Sequence, residues 1–373
     1  MAEMTKQEML DVVESNISKL KNNEFNVYFF VLDTKGNPSS ALEYIYQTAY
    51  TLKEMGYNVS MLHQEEEFIG VSNWLGEKYA NIPHYNIEKE NVEITPSDFL
   101  FIPEIFANVM IQTKKLPCKR VAIVQNYKHI TEFMPVYYTL NGNGLHSLGI
   151  SDVIATTDEQ AKRIKEYFPE IRTHVVHPSI KKMFRNNDEP RKLIVNVISR
   201  EQSKANEIVK PFYWKNPIYK FITFRDLRGM NQEEFSECLR DAAITVWEDD
   251  DTQFGYTLLE ALRCGSVVLA KIPEKPVEWM LDENGELTSS IIWFENNDDI
   301  HKILASVIRS WTLDLIPEEV YESQKKLDNL YTEELQKSEI DYVYVQNLFN
   351  KRLKEFEEVK ADVENNVFKT KEE

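Results

Sequence analysis

The richest chemistry in this chain lies between Val246 and Ala270, in the run Val-Trp-Glu-Asp-Asp-Asp-Thr-Gln-Phe-Gly-Tyr-Thr-Leu-Leu-Glu-Ala-Leu-Arg-Cys-Gly-Ser-Val-Val-Leu-Ala. It reads as a strand, a polar loop, a helix opening at Phe254-Gly255, and a second apolar strand after Cys264-Gly265. Glycine at the loop lets backbone approach a ligand closely. Amides of a first helical turn have no partner within the helix and suit a phosphate. The backbone of Gln253, Phe254, Gly255, Tyr256 and Thr257, with the Thr257 hydroxyl, is expected around a diphosphate. Glu260, about a turn deeper, can accept from the two hydroxyls of a ribose. The residues suggest a nucleotide diphosphate site.

Phe-Gly-x-x-x-Leu-Glu-Ala-x-x-Cys-Gly followed by an apolar strand resembles the donor-site signature of GT-B glycosyltransferases, in the retaining Glu-x7-Glu group (glycosyltransferase family 4-like). Phe254, Gly255, Leu259, Glu260, Ala261, Cys264 and Gly265 carry the match. The resemblance implies transfer of a hexosyl or pentosyl group from a nucleotide-diphosphate sugar, with retention. The second glutamate, here Glu260, would hold the ribose. Thr252 stands where the first glutamate would touch the donor sugar. A nucleotide-sugar-binding subunit without turnover therefore stays open beside the enzyme. The resemblance also places cations on the donor phosphates, here Arg200 and Lys204, which would stabilise the charge that develops on the leaving group. Asp249, Asp250 and Asp251 resemble the Asp-x-Asp metal motif of the other glycosyltransferase fold, GT-A. The surroundings match GT-B, so no metal or other cofactor is expected, the donor being a co-substrate. Asp251 is kept as a sugar contact in place of the missing glutamate.

The elements around this motif alternate along the whole chain. A helix is expected over 5–22, then a buried parallel strand over 26–32, where the apolar run is continuous. Strands follow near 58–63, 98–102, 120–125, 152–155 and 173–177, with helices between them. The second half repeats the pattern: strands at 193–198, 218–224, 244–248, 267–269 and 291–294. The expectation is an α/β chain of two facing Rossmann-like domains, the GT-B architecture, with a helical C-terminal tail crossing back. The domains are read as 1–185 on the acceptor side and 192–312 on the nucleotide-sugar side, with 313–373 as the tail. The charged stretch 181–191 is read as the linker about which the domains close.

Open α/β sheets hold ligands at the carboxyl ends of their strands. In the first domain this selects Gly36, Glu104, Asn126 and His129 as acceptor or sugar contacts. His174 and His177, two apart on a strand, are read as structural.

Composition narrows the rest. A net charge of −18 argues against a broad nucleic-acid face. Cys118, Cys238 and Cys264 lack metal-ligand spacing and fit reduced thiols of a cytoplasmic protein. No apolar run reaches 18 residues and no signal peptide is evident, so no integral membrane contact is expected. The acceptor is left open among carbohydrate, lipid, protein and modified nucleic acid.

Overall fold

The structure is a computed structural model and describes residues 5–135, 144–249 and 254–365. Its strands, in chain order, are β1 (Asn26–Phe30), β2 (Asn58–His63), β3 (His84–Asn86), β4 (Phe99–Pro103), β5 (Lys119–Val124), β6 (Asp152–Ala155), β7 (Arg172–Val175), β8 (Lys192–Ser199), β9 (Thr223–Asp226), β10 (Ala242–Glu248), β11 (Val267–Lys271) and β12 (Ile292–Phe294). Among the described residues they form two sheets, β3-β2-β1-β4-β5-β6-β7 and β12-β11-β10-β8-β9, and each pairing is parallel. A parallel strand needs a crossover, and the crossover helices cover both faces of the sheet. That is why Phe99, Leu100, Phe101 and Ile102, or Val121, Ala122, Ile123 and Val124, are apolar on successive residues and buried.

The chain divides into two compact units. The first contains residues 1–72, 76–177 and 336–373; the second contains 73–75 and 178–335. The crossing at His177/Pro178 precedes the charged stretch expected to be a linker. Residues 180–191 are bonded into the second unit. Ile180 and Phe184 are buried, Ile180 N donates to Tyr331 O (2.8 Å), and Asn186 N donates to Arg263 O (2.8 Å). Arg191 donates to the carbonyls of Leu239, Ala242 and Cys264. The charged composition hid two apolar anchors and an arginine used for its donors.

The C-terminal segment is divided as well. Residues 313–335 belong to the second unit, and the segment from Gln336 belongs to the first. There, Asp341–Phe349 widens into a π-helix. Its buried pairs Val343/Tyr344 and Leu348/Phe349 stand five residues apart, the spacing of an i→i+5 helix. Phe349 packs on Phe25, Phe99 and Tyr57 with centroids 5.0, 4.5 and 5.1 Å away, and Tyr344 on Phe101 at 4.8 Å. The following helix Asn350–Glu364 lies along Lys6–Lys21, with ion pairs Lys21–Glu357 (2.8 Å) and Lys360–Glu14 (2.7 Å). These pairs are solvent-exposed and contribute little beside the aromatic contact.

Two local expectations change. The strand expected over 218–224 is β9 at Thr223–Asp226, because Pro217 opens a 3₁₀ turn at Pro217–Tyr219. The short strand β3 pairs with β2 through His84–Asn86, where Pro83 and two polar residues mask a strand signal. Elsewhere, the helix starts follow their caps. Ser39, Thr157 and Asn231 accept from Leu42 N, Gln160 N and Glu234 N.

Phe349→Ala should lower the free energy of unfolding by about 3–5 kcal/mol through loss of this aromatic contact. Urea denaturation followed by circular dichroism reads the shift.

Candidate functional site

In the second unit the strand order places β8 beside β10, although β9 lies between them in sequence. This is the point where the winding direction of the sheet reverses, and a crevice opens outside the carboxyl ends of β8 and β10. Glu248 at the end of β10 is in register with Ser199 at the end of β8. Arg200 and Lys204 follow β8 directly, and the helix Tyr256–Arg263 follows β10. Topology thus assembles two stretches some fifty residues apart in sequence.

Gly255 is the N-cap of the Tyr256–Arg263 helix, at φ +78°. A Cβ there would fall 2.7 Å from Met280 Cε and 3.1 Å from Trp279 Cζ2. Both the left-handed backbone and the packed wall behind it require glycine. Leu259 N donates to Gly255 O (3.0 Å), so the amides of residues 256–258 precede the first bond of the helix. Thr257 is the residue of that first turn that keeps some exposure. Trp247 Nε1 donates to Thr257 Oγ1 at 3.1 Å, which orients the hydroxyl. Glu260 lies three residues on, on the same helix face as Thr257, and is 5% exposed.

The side chains of Phe254 and Tyr256, whose backbone is the part expected at the diphosphate, belong to the wall. Both rings are buried; Phe254 meets Tyr256 at 5.0 Å and Tyr331 at 5.1 Å. The Phe254 carbonyl accepts from Trp279 Nε1 at 2.8 Å. An aromatic side chain beside a glycine loop has more to gain from the core than from solvent. The expected contacts Gln253 and Asp251, with Asp250 and Thr252, lie outside the described residues.

The cations sit over carboxylates. Arg200 Nε pairs with Asp249 Oδ2 at 2.8 Å and its side chain is largely exposed. Glu248 is 1% exposed. Ser199 Oγ donates to its Oε2 (3.4 Å), Lys204 Nζ stands 4.0 Å from Oε2, and Lys271 Nζ stands 3.5 Å from Oε1. Glu248 and Lys271 escaped the sequence reading. The available signal was a charged residue closing each of two apolar strands, at the end where α/β sheets bind ligands. The carboxylate holds two ammonium groups beside the crevice.

The first unit shows the equivalent arrangement where β1 and β4 adjoin. Gly36 (φ +79°) is in the loop after β1. That loop is tied by the Asp33 carboxylate, which accepts from Lys35 N and Ile69 N at 2.9 Å each. Glu104 follows β4 and is buried. Its Oε1 accepts from Asn126 N (2.9 Å) and lies 3.2 Å from His129 Nδ1. Asn126 caps the helix Tyr127–Phe133, and its Nδ2 lies 3.4 Å from His129 Nε2. These partners assign the proton of His129 to Nδ1, toward the carboxylate, and make Nε2 an acceptor. Glu104 Oε2 is buried with no hydrogen-bond partner among the described residues. Glu104, Asn126 and His129 therefore form one polar cluster. His174 and His177 are structural in their surroundings, bonded to Asp152 (3.3 Å) and Glu339 (2.9 Å). Burial pushes the thiols of Cys118 and Cys264 up, to about 11 and about 12, so neither is a ready nucleophile.

No protein-family model matches the sequence. Alpha-1,6-glucosyltransferase of Actinobacillus pleuropneumoniae serotype 7 (strain AP76) is 22% identical over 258 residues, 67% of this chain and 74% of the relative. Among solved structures, sucrose-phosphate synthase from Thermosynechococcus elongatus superposes with a TM-score of 0.61 at 11% identity, covering 88% of this chain and 100% of that one. HepE of Anabaena, in complex with UDP and glucose, gives 0.60 at 11% identity over 86% and 100%. The fold is that of GT-B glycosyltransferases. Within a GT-B chain, the second unit's β8/β10 crevice carries the glycine-opened helix, and the segments after β4 and β5 of the first unit carry the Glu104–His129 cluster. No helix among the described residues is long and apolar enough to cross a membrane.

Gly255→Ala should cost about 1–2 kcal/mol for the left-handed backbone alone, with a further loss from the Met280 and Trp279 overlap; thermal melting measures it. Glu248→Ala should cost about 1–3 kcal/mol, because two lysines lose a buried partner. Glu248→Gln, which keeps the shape, should lose less.

Proposed function

We infer that this protein is a glycosyltransferase that moves a sugar from a nucleotide-diphosphate sugar to an acceptor hydroxyl, with retention at the anomeric carbon. The observation that carries the reading is the joining, at one strand-order reversal, of a glycine-capped helix start, a buried carboxylate on that helix, and the cations Arg200, Lys204 and Lys271. Glu260 accepts from the ribose hydroxyls, while the amides of residues 255–257 and the Thr257 hydroxyl hold the diphosphate. The glycosyl C–O bond to the β-phosphate breaks, and the cations stabilise the diphosphate as it departs. The acceptor oxygen bonds to the anomeric carbon from the same face, and its proton passes to the departing phosphate oxygen. No side-chain base is needed for this step, and the protein's own cations make a divalent metal unnecessary.

The complexes of HepE with UDP and glucose, and of the pneumococcal O-GlcNAc transferase GtfA with UDP and GlcNAc, support UDP-sugars as the first donors to try. GtfA superposes with a TM-score of 0.57 at 9% identity over 91% of this chain and 99% of that one. The name of the Actinobacillus relative supports glucose. His129, oriented by Glu104, is proposed to accept from a hydroxyl of an acceptor or sugar, with Asn126 and Gly36 as further contacts on the first unit. The acceptor is a carbohydrate, lipid, protein or modified nucleic acid. Free, largely buried cysteines fit a reducing, cytoplasmic setting.

Thr252 in place of the first motif glutamate supports a second reading, a subunit that binds the nucleotide sugar without turning it over.

Calorimetry with UDP-glucose, followed by assays for transfer and hydrolysis, decides between them: binding with no turnover selects the second reading. Glu260→Ala should weaken UDP binding by about 10- to 150-fold, the loss expected for hydrogen bonds to a charged group. Unchanged affinity and turnover would remove the site assignment. Turnover, where present, should survive EDTA.

A further inference from the structure

The 18 residues from Ile208 to Arg225 contain four cations and no carboxylate, in a chain that carries 61 acidic residues. They span the end of the helix Gln202–Lys215, the 3₁₀ turn and the start of β9. The structure sorts their side chains into two sets. Phe212 is fully buried and packs on Tyr219 and Phe224 at 6.0 and 5.2 Å. The hydroxyls of Tyr213 and Tyr219 donate to Ile222 O and Ala305 O. Against this rigid base, Trp214, Ile218 and Phe221 stand 75%, 76% and 69% exposed. Lys210, Lys215 and Lys220 are exposed among them. Isolated apolar residues on a surface need no explanation, but three within eight residues, all more than two-thirds exposed, do.

We propose that this face of the second unit docks on an anionic lipid surface. Trp and Phe favour the headgroup region of a bilayer, and lysines beside them meet anionic headgroups. Amphipathic surfaces with Trp, Phe and Lys in this arrangement lie in the interface without spanning it. Charge selects the lipid over other apolar partners. The net charge of −18 does not cancel the attraction, since charges farther off than about 8–10 Å are screened at physiological salt. The helix Gln202–Lys215 begins beside the Lys204 end of the crevice and ends at the patch, about 21 Å away at 1.5 Å per residue. Docking therefore leaves the β8/β10 crevice uncovered. The proposal does not depend on the sugar-transfer reading.

The test is co-sedimentation of the full chain with vesicles of phosphatidylcholine alone and of phosphatidylcholine with phosphatidylglycerol. Binding is expected only with the anionic vesicles and should fall as salt rises. The triple variant Lys210→Ala, Lys215→Ala, Lys220→Ala should weaken it about 100-fold. Trp214→Ser, Ile218→Ser, Phe221→Ser should abolish it while leaving the melting temperature and UDP affinity unchanged. Trp214→Phe should keep binding but lose the tryptophan quenching produced by brominated lipid. Absence of binding to anionic vesicles, or binding untouched by the triple serine variant, overturns the proposal. So does a dimer that the serine variant dissociates, which would make a second copy the occupant.

Discussion

The parallel pairing of β8 with β10 is the constraint on which the candidate site of the second unit depends. Strand ends that are neighbours in space but not in sequence leave a gap between their following loops. Into that gap the chain sends Arg200 and Lys204 from one side, and Gly255, Thr257 and Glu260 from the other. The apolar strands that create the pairing also exclude water from Glu248, which makes its carboxylate a fixed anchor for lysines. Core and site are thus built from the same residues. A change of register between β8 and β10 would move Ser199 away from Glu248 and separate the cations from the helix start.

The two sheets solve similar problems with different chemistry. In the second unit, charge dominates: cations stand over buried or half-buried carboxylates near backbone amides. In the first, the Glu104–Asn126–His129 cluster has one hydrogen-bonding histidine whose orientation is set by a buried carboxylate. The first arrangement suits an anion, the second a neutral hydroxyl.

Much of the architecture was legible because parallel strands buried on both faces read as unbroken apolar runs. Val27 to Phe30 and Phe99 to Ile102 are such runs, and both are strands. Charge patterns were less informative. Residues 181–191 look like a solvated linker, yet Ile180, Phe184 and Arg191 fasten them to the second unit. The motif places the backbone of Phe254 and Tyr256 beside Gly255 and says nothing of their rings. Sequence adjacency cannot say which way a ring turns, and both turned to the core.

By itself the sequence determined the local physics: the alternation of strand and helix, the caps at Ser39, Thr157 and Asn231, the glycine that must open the Tyr256–Arg263 helix, and Glu260 on its face. These depend on neighbours within a turn or two, where backbone preferences and hydrogen bonds act directly. Tertiary structure decided which distant groups meet. It brought Lys204 and Lys271 to Glu248, and Glu104 to His129. It also left Trp214, Ile218 and Phe221 outside while burying Phe212 beside them. Burial and charge pairing are properties of three-dimensional neighbourhoods, and no spacing along the chain encodes them.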